Sequence, residues 1–148
     1  MISPELLRRY PFFGSLTSEQ LKQIAMISDE VILDSGVTVL EQGKPAEDIY
    51  LLVEGGVDVF FVVDQGKEFF VTEINPGEPF GISAMVEPYI LTTTVRTSKP
   101  SRVIKISAKD LQNACQQDKD LAIAVYHQIA KSAIERLNAT RIQLVAAR

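Results

Sequence analysis

Between residues 29 and 106 the chain carries five short runs rich in β-branched and aromatic residues: Glu30–Leu33, Val37–Leu40, Asp48–Val53, Val57–Val63 and Glu68–Ile74. Each is closed by a turn sequence, in order Ser35-Gly36, Gln42-Gly43-Lys44-Pro45, Glu54-Gly55-Gly56, Asp64-Gln65-Gly66-Lys67 and Asn75-Pro76-Gly77. Strands spaced about 8–12 residues apart with no helices between them imply antiparallel pairing, folded as a sandwich, barrel or roll. Two further strands are expected near Leu91–Thr97 and Arg102–Ile106, and only Gly81–Glu87 reads as helical inside this region.

Helices are predicted on both flanks. Ser3 followed by Pro4 is a cap with proline at the first helical position, and Thr17-Ser18-Glu19-Gln20 opens a second helix whose Leu21, Ile24 and Ala25 share one face. After Ser107 a short helix runs through Leu111 and Cys115, and Asp118 or Asp120 opens a long one towards the C-terminus. In that helix Ile123, Tyr126, Ala130, Ala133, Leu137, Thr140 and Leu144 repeat at alternating steps of three and four, a heptad seam. A second stripe, Leu121, Val125, Ile129, Ile134 and Ile142, flanks it. Two stripes call for two partners, the β-region for one and a second copy of the helix for the other; a helix folded wholly onto its own domain is the competing reading. The expected layout is thus one domain over 1–148: N-terminal helices at 3–28, a β-roll at 29–106 and C-terminal helices at 107–148.

Composition removes several function classes. The 148 residues are 46% hydrophobic and 23% charged, as in ordinary globular proteins, and a chain of this length buries roughly two-thirds of its unfolded surface. No apolar run approaches the roughly 20 residues that span a bilayer, and the N-terminus lacks the layout of a secretory leader, so a cytoplasmic location is expected. One cysteine, Cys115, permits no internal disulfide. A net charge of −4 argues against DNA binding by this chain itself, and Lys131, Arg136, Arg141 and Arg148 fall at the spacing of a solvated helix face. Catalysis is not expected. The only histidine, His127, lies in a predicted helix, which leaves no His-rich metal site, and no Ser-His-Asp arrangement, GxxxxGK[ST] loop or GxGxxG turn is present.

What remains is the stretch Ile74–Val95. Its breaks at Pro76-Gly77, Pro79 and Gly81 leave backbone N–H groups free at Gly81-Ile82-Ser83, an arrangement that attracts an anion without a charged side chain. Ser83, Thr92, Thr93 and Thr94 add hydroxyls suited to a neutral polar ligand or a weakly held anion, although threonine is also an ordinary strand residue.

The runs Leu40-Glu41-Gln42-Gly43, Asp48 to Val59 and Ile74-Asn75-Pro76-Gly77-Glu78-Pro79-Phe80-Gly81, in this order and between these helices, resemble the cyclic nucleotide-binding domain of the Crp/Fnr regulators and cyclic-nucleotide-dependent kinases. The resemblance covers nearly the whole chain. It implies a mainly β fold with flanking helices: an antiparallel double-stranded β-helix, or jelly-roll-like β-roll, with a long C-terminal helix that serves dimerisation. The family's phosphate cassette reads roughly Phe-Gly-Glu-Leu-Ala-Leu and then, after a turn, Arg-Ala-Ala-Thr-Val. Phe80, Gly81, Ala84, Thr94 and Val95 match it. The glutamate that accepts the ribose hydroxyl falls on Ile82, and the arginine that pairs with the cyclic phosphate falls on Leu91. The cassette positions by resemblance are Gly81, Ile82, Ser83, Ala84, Leu91, Thr92 and Thr93.

A charge-assisted phosphate contact contributes on the order of 1.5–3 kcal/mol, so losing it together with the ribose acceptor weakens binding roughly a hundredfold or more. Cyclic AMP and cyclic GMP are therefore expected to bind weakly or not at all. Glu78, Glu87, Arg96 and Arg102 lie near the cassette, but none is an obvious replacement. Family positions that touch adenine fall near Arg136 and Leu137. Three readings stay open: a sensor for a nucleotide or small anionic effector that acts on its C-terminal helix, a ligand-free dimerisation or interaction module, and a cyclic nucleotide binder using non-standard contacts. The resemblance also implies a regulated partner protein or an output domain: the bacterial regulators continue into a helix-turn-helix DNA-binding domain at the point this sequence reaches at Arg148, and residues 1–148 contain no such domain.

Overall fold

The computed structural model describes every residue from Met1 to Arg148. Four helices and six strands follow the order α1 (Pro4–Arg8), α2 (Ser18–Met26), β1 (Ser28–Leu33), β2 (Thr38–Leu40), β3 (Asp48–Val63), β4 (Lys67–Ile74), β5 (Pro79–Phe80), β6 (Thr94–Ser107), α3 (Ala108–Gln117) and α4 (Lys119–Ala146). All strand pairs are antiparallel. The strands run β1-β6-β3-β4 across the sheet, with β2 added to β6 and β5 to β3. This is the jelly-roll-like architecture with a long C-terminal helix that the sequence predicts.

Two long strands make the roll. β3 and β6 pair from Asp48 with Ser107 to Phe60 with Thr94, and the register shifts near Glu54–Val57, where both strands bend. The sequence reading placed a turn at Glu54-Gly55-Gly56 and separate strands on either side; the chain instead continues as one 16-residue strand. The two strands expected at Leu91–Thr97 and Arg102–Ile106 are likewise one, Thr94–Ser107, with Leu91 ahead of it. The cause lies at the corner. Gly55 sits at φ +115°, where a Cβ would overlap Ser101. The Ser101 hydroxyl accepts from the Gly56 N–H (3.1 Å) and donates to the Lys99 carbonyl (2.8 Å), replacing ladder bonds the bend removes.

Inside the roll Ile49, Leu51, Leu52, Val57, Val59, Ile74, Phe80, Met85, Val95, Val103, Ile104 and Ile106 are buried. The N-terminal helices close one end with Leu7, Phe12, Phe13, Leu21, Ile24 and Ala25. Thr17 and Gln20 form a reciprocal capping box on α2, and the Gln20 amide reaches Asp118 (3.1 Å), whose other oxygen caps α4 at the Leu121 N–H (3.0 Å). One carboxylate thereby ties the first helices to the last.

α4 buries Leu121, Val125, Ile129 and Ser132 against the rest of the chain. The expected second stripe holds only in its first half, since Ile134 and Ile142 are exposed. Ile134 follows Ile129 by five positions, about 140° around a helix of 3.6 residues per turn, so the inward row passes instead through Ser132, Arg136 and Ala139. The heptad seam of Ile123, Tyr126, Ala130, Ala133, Leu137, Thr140 and Leu144 is exposed along its whole length. No helix is long and apolar enough to cross a membrane.

Candidate functional site

The cassette begins where β5 is pinned to β3. Phe80 is fully buried and stacks on Tyr50 with ring centroids 5.1 Å apart and planes 9° from parallel. Burial, with help from Asp48 and Glu47, pushes the Tyr50 phenol up to about 12, so this ring is a neutral packing surface. Gly81 then takes the left-handed conformation (φ +72°), and a Cβ there would press within 3.2 Å of both the Asp48 carbonyl and the Leu40 side chain. Only glycine fits this close approach.

A single 3-10 turn follows, Ile82–Met85, in which Ala84 N–H bonds Gly81 O and Val86 N–H bonds Ser83 O. The Ile82 and Ser83 amides begin this turn and have no carbonyl inside it to bond. Across the gap, Leu91 is fixed by two backbone bonds to the Gly43–Lys44 loop, from Gly43 N–H to Leu91 O (2.8 Å) and from Leu91 N–H to Lys44 O (2.9 Å).

Between these edges lies a cavity of about 220 Å³. Six of the seven cassette positions named from the sequence line it: Gly81, Ile82, Ser83, Leu91, Thr92 and Thr93. The seventh, Ala84, is fully buried in the core, and its carbonyl accepts from the Gln112 side-chain amide at 2.8 Å. Leu40 and Val95 complete the apolar wall. The remaining wall is α4, through Ala133 of the predicted seam and Arg136.

The threonines divide into two groups. Thr94 and Thr97 are buried and structural: Thr94 accepts from the Gln42 N–H (3.1 Å), while Thr97 accepts from the Val37 N–H (2.8 Å) and donates to the Asp34 carbonyl (2.6 Å). The hydroxyls of Ser83, Thr92 and Thr93 bond no protein group.

Three of the four charged residues near the cassette, Arg96, Arg102 and Glu78, are already engaged. Arg96 grips Glu68 with two bonds of 2.8 and 2.7 Å and lies over the Phe60 ring, and this hydrogen bonding holds the Glu68 carboxyl below its usual value. Arg102 serves Glu30 and Glu54, and Glu78 accepts the Asn75 N–H at 2.6 Å.

Arg136 is the cation that sequence reasoning treated as part of a solvated helix face. The structure places its side chain inward, donating from one terminal nitrogen to the Pro79 carbonyl at 2.7 Å, with no carboxylate partner. Burial pulls its guanidinium below the usual value, while Glu78 and Glu135 push the other way. Its position was legible. Arg136 follows the buried Ile129 by seven residues, about two helical turns, and so returns to the inward face.

Comparison with known proteins agrees with this geometry. The family model of the cyclic nucleotide-binding domain matches residues 30–118. A solved structure from Geobacter metallireducens GS-15, described as a cyclic nucleotide-binding protein, is 37% identical and superposes with a TM-score of 0.83, covering 93% of this chain and 99% of that one. The sensor domain of the transcriptional regulator DNR from Pseudomonas aeruginosa is 27% identical with a TM-score of 0.74, covering 90% of each chain. The cAMP-activated global transcriptional regulator CRP of Pasteurella multocida is 27% identical over 95 residues, which are 64% of this chain and 46% of that protein. The chain therefore matches about half the length of that relative.

The division of the hydroxyls is directly measurable by urea denaturation. Thr94→Val and Thr97→Val each strand a backbone N–H and should lower stability by about 1–3 kcal/mol. Ser83→Ala and Thr92→Val should leave it within about 0.5 kcal/mol. A comparable loss from all four would contradict the assignment.

Proposed function

The chain belongs to the cyclic nucleotide-binding domain family, and from that membership we propose that it is a regulatory sensor domain whose effector is not a cyclic nucleotide and acts on the C-terminal helix. The observation that supports this most strongly is the cavity itself: it stays open between Ile82 and Leu91, is lined by three hydroxyls with no protein partner, and has α4 as one wall. A domain retained only for dimerisation has no need of an open, hydroxyl-lined cleft against its dimer helix.

The discrimination against cyclic nucleotides follows from two side chains. A cyclic phosphate seated on the Ile82-Ser83 amides would lie beside Leu91, which is buried and offers neither charge nor donor. The ribose hydroxyl would meet Ile82 where the family pattern has a carboxylate. Arg96, on β6, is consumed by Glu68. Burying a phosphate at that edge, where neither Ile82 nor Leu91 supplies a counter-charge, costs free energy that the neutral hydroxyls only partly offset.

Coupling runs through α4. An effector bound between the cassette and this helix would favour whichever helix position completes the pocket, a population shift of a two-state element. The output would be a second copy of the chain together with a partner protein or an attached DNA-binding domain. The exposed seam from Ile123 to Leu144 supports the homodimer, since seven positions of one heptad face lie open to solvent.

Isothermal titration with cyclic AMP and cyclic GMP should give dissociation constants weaker than micromolar, and micromolar or tighter binding of either would refute the effector assignment. Sedimentation equilibrium should return a mass twice that of the chain at micromolar concentration; a strict monomer sinks the helix-seam dimer.

A further inference from the structure

Among the residues that line the cassette cavity, Leu40, Gly81, Ile82, Ser83, Leu91, Thr92, Thr93, Val95 and Ala133 are uncharged, and Arg136 is the one that carries a charge. An arginine cannot shed its proton at any ordinary pH, so the cavity holds one permanent positive charge. The nearby carboxylates of Glu73, Glu78 and Glu135 line a neighbouring cleft, and none forms an ion pair with Arg136. The guanidinium has five N–H donors, and one of its terminal nitrogens is committed to the Pro79 carbonyl. Glu78 and Glu135 favour the charge without closing to ion-pair distance, so guanidinium donors beyond the one on Pro79 stay available to a ligand. Burial works against this charge while the two glutamates support it, and the side chain reaches inward from α4 to the Pro79 carbonyl.

We propose that Arg136 is the counter-charge of the pocket, and that the effector is a compact organic anion, a carboxylate or phosphate ester with an apolar body, bound with its charge towards α4. This rests on the reading that the cassette cavity binds an effector. The size supports a compact ligand, because about 220 Å³ falls below the roughly 300–1,000 Å³ of pockets that take drug-sized molecules. The apolar wall of Leu40, Ile82, Leu91 and Val95 accommodates a hydrocarbon body, and Ser83, Thr92 and Thr93 supply donors around it. Polarity is thereby inverted relative to the family pattern: the charge clamp leaves the strand that begins after Leu91 and moves to the helix that carries the output. Binding an anion would compete for the guanidinium now bonded to Pro79, so the ligand would act on α4 directly.

The test uses the full chain, with backbone amide shifts followed by NMR during titration with benzoate, phenyl phosphate and benzamide. At least one anion should produce saturable shifts at Ile82, Ser83, Thr92 and Thr93, and the neutral isostere benzamide should bind roughly tenfold more weakly or worse. Whichever anion binds tighter identifies the acid group. Arg136→Gln should weaken anion binding by roughly tenfold or more, and Arg136→Lys should restore part of it, with unchanged amide spectra away from the pocket establishing that both variants fold. Equal binding of benzoate and benzamide, or anion binding by Arg136→Gln at the wild-type level, would overturn the charge assignment while leaving the cavity an effector site. Absence of shifts at those four amides with every probe would also overturn it. In that case a thermal-shift screen of neutral metabolites decides separately whether the cavity binds any effector.

Discussion

Everything in this structure depends on the pairing of β3 with β6 through a shared bend. Two strands of 16 and 14 residues cannot stay flat and enclose a core, and a continuous pair cannot bend sharply without losing ladder bonds. Gly55 and Ser101 resolve the conflict together. The glycine makes room, and the serine hydroxyl takes over the hydrogen bonds of Gly56 and Lys99. On the two sides of the corner the same two strands deliver the cassette to its place, since Tyr50 on β3 carries Phe80 and Val95 on β6 lines the cavity. The candidate site is in this sense a consequence of how the roll turns.

The cassette shows how scaffold and chemistry separate. Gly81 is demanded by backbone approach to Asp48 and Leu40, whatever the ligand. Leu91 is held by backbone bonds that do not depend on its side chain, so the position could exchange an arginine for a leucine without disturbing the loop. Backbone geometry persists while the side chains that give it meaning change. The arginines near the cassette illustrate the same economy of charge: Arg96 and Arg102 are consumed by glutamates on neighbouring strands, and only Arg136 reaches the cavity.

Much of this was legible in the sequence, and the failures have physical causes. Period and turn chemistry placed the strands, and capping residues placed the helix starts at Ser3, Thr17 and Ser107 and narrowed the last to Asp118 or Asp120, of which Asp118 is the cap. A Gly-Gly pair, however, reads identically whether the chain reverses or only bends, because the distinction depends on Ser101, which lies 45 residues further on. Six of the cassette positions line one cavity, but Ala84 does not, since a 3-10 turn rotates successive side chains by about 120° and sends that one into the core. Arg136 was misjudged because a charged residue amid Lys131, Glu135 and Arg141 reads as solvated. Ile134 failed in the complementary way, as an apolar residue five positions out of phase with the buried row.

The central claim is that Ile82 and Leu91, within an otherwise competent cassette, are what exclude a cyclic nucleotide. The most direct measurement is isothermal titration of cyclic AMP into the double variant Ile82→Glu/Leu91→Arg alongside the wild-type chain. Restoring the ribose acceptor and the phosphate counter-charge should tighten binding roughly a hundredfold. A variant that keeps its fold by circular dichroism yet binds cyclic AMP no better than the wild type would contradict the account.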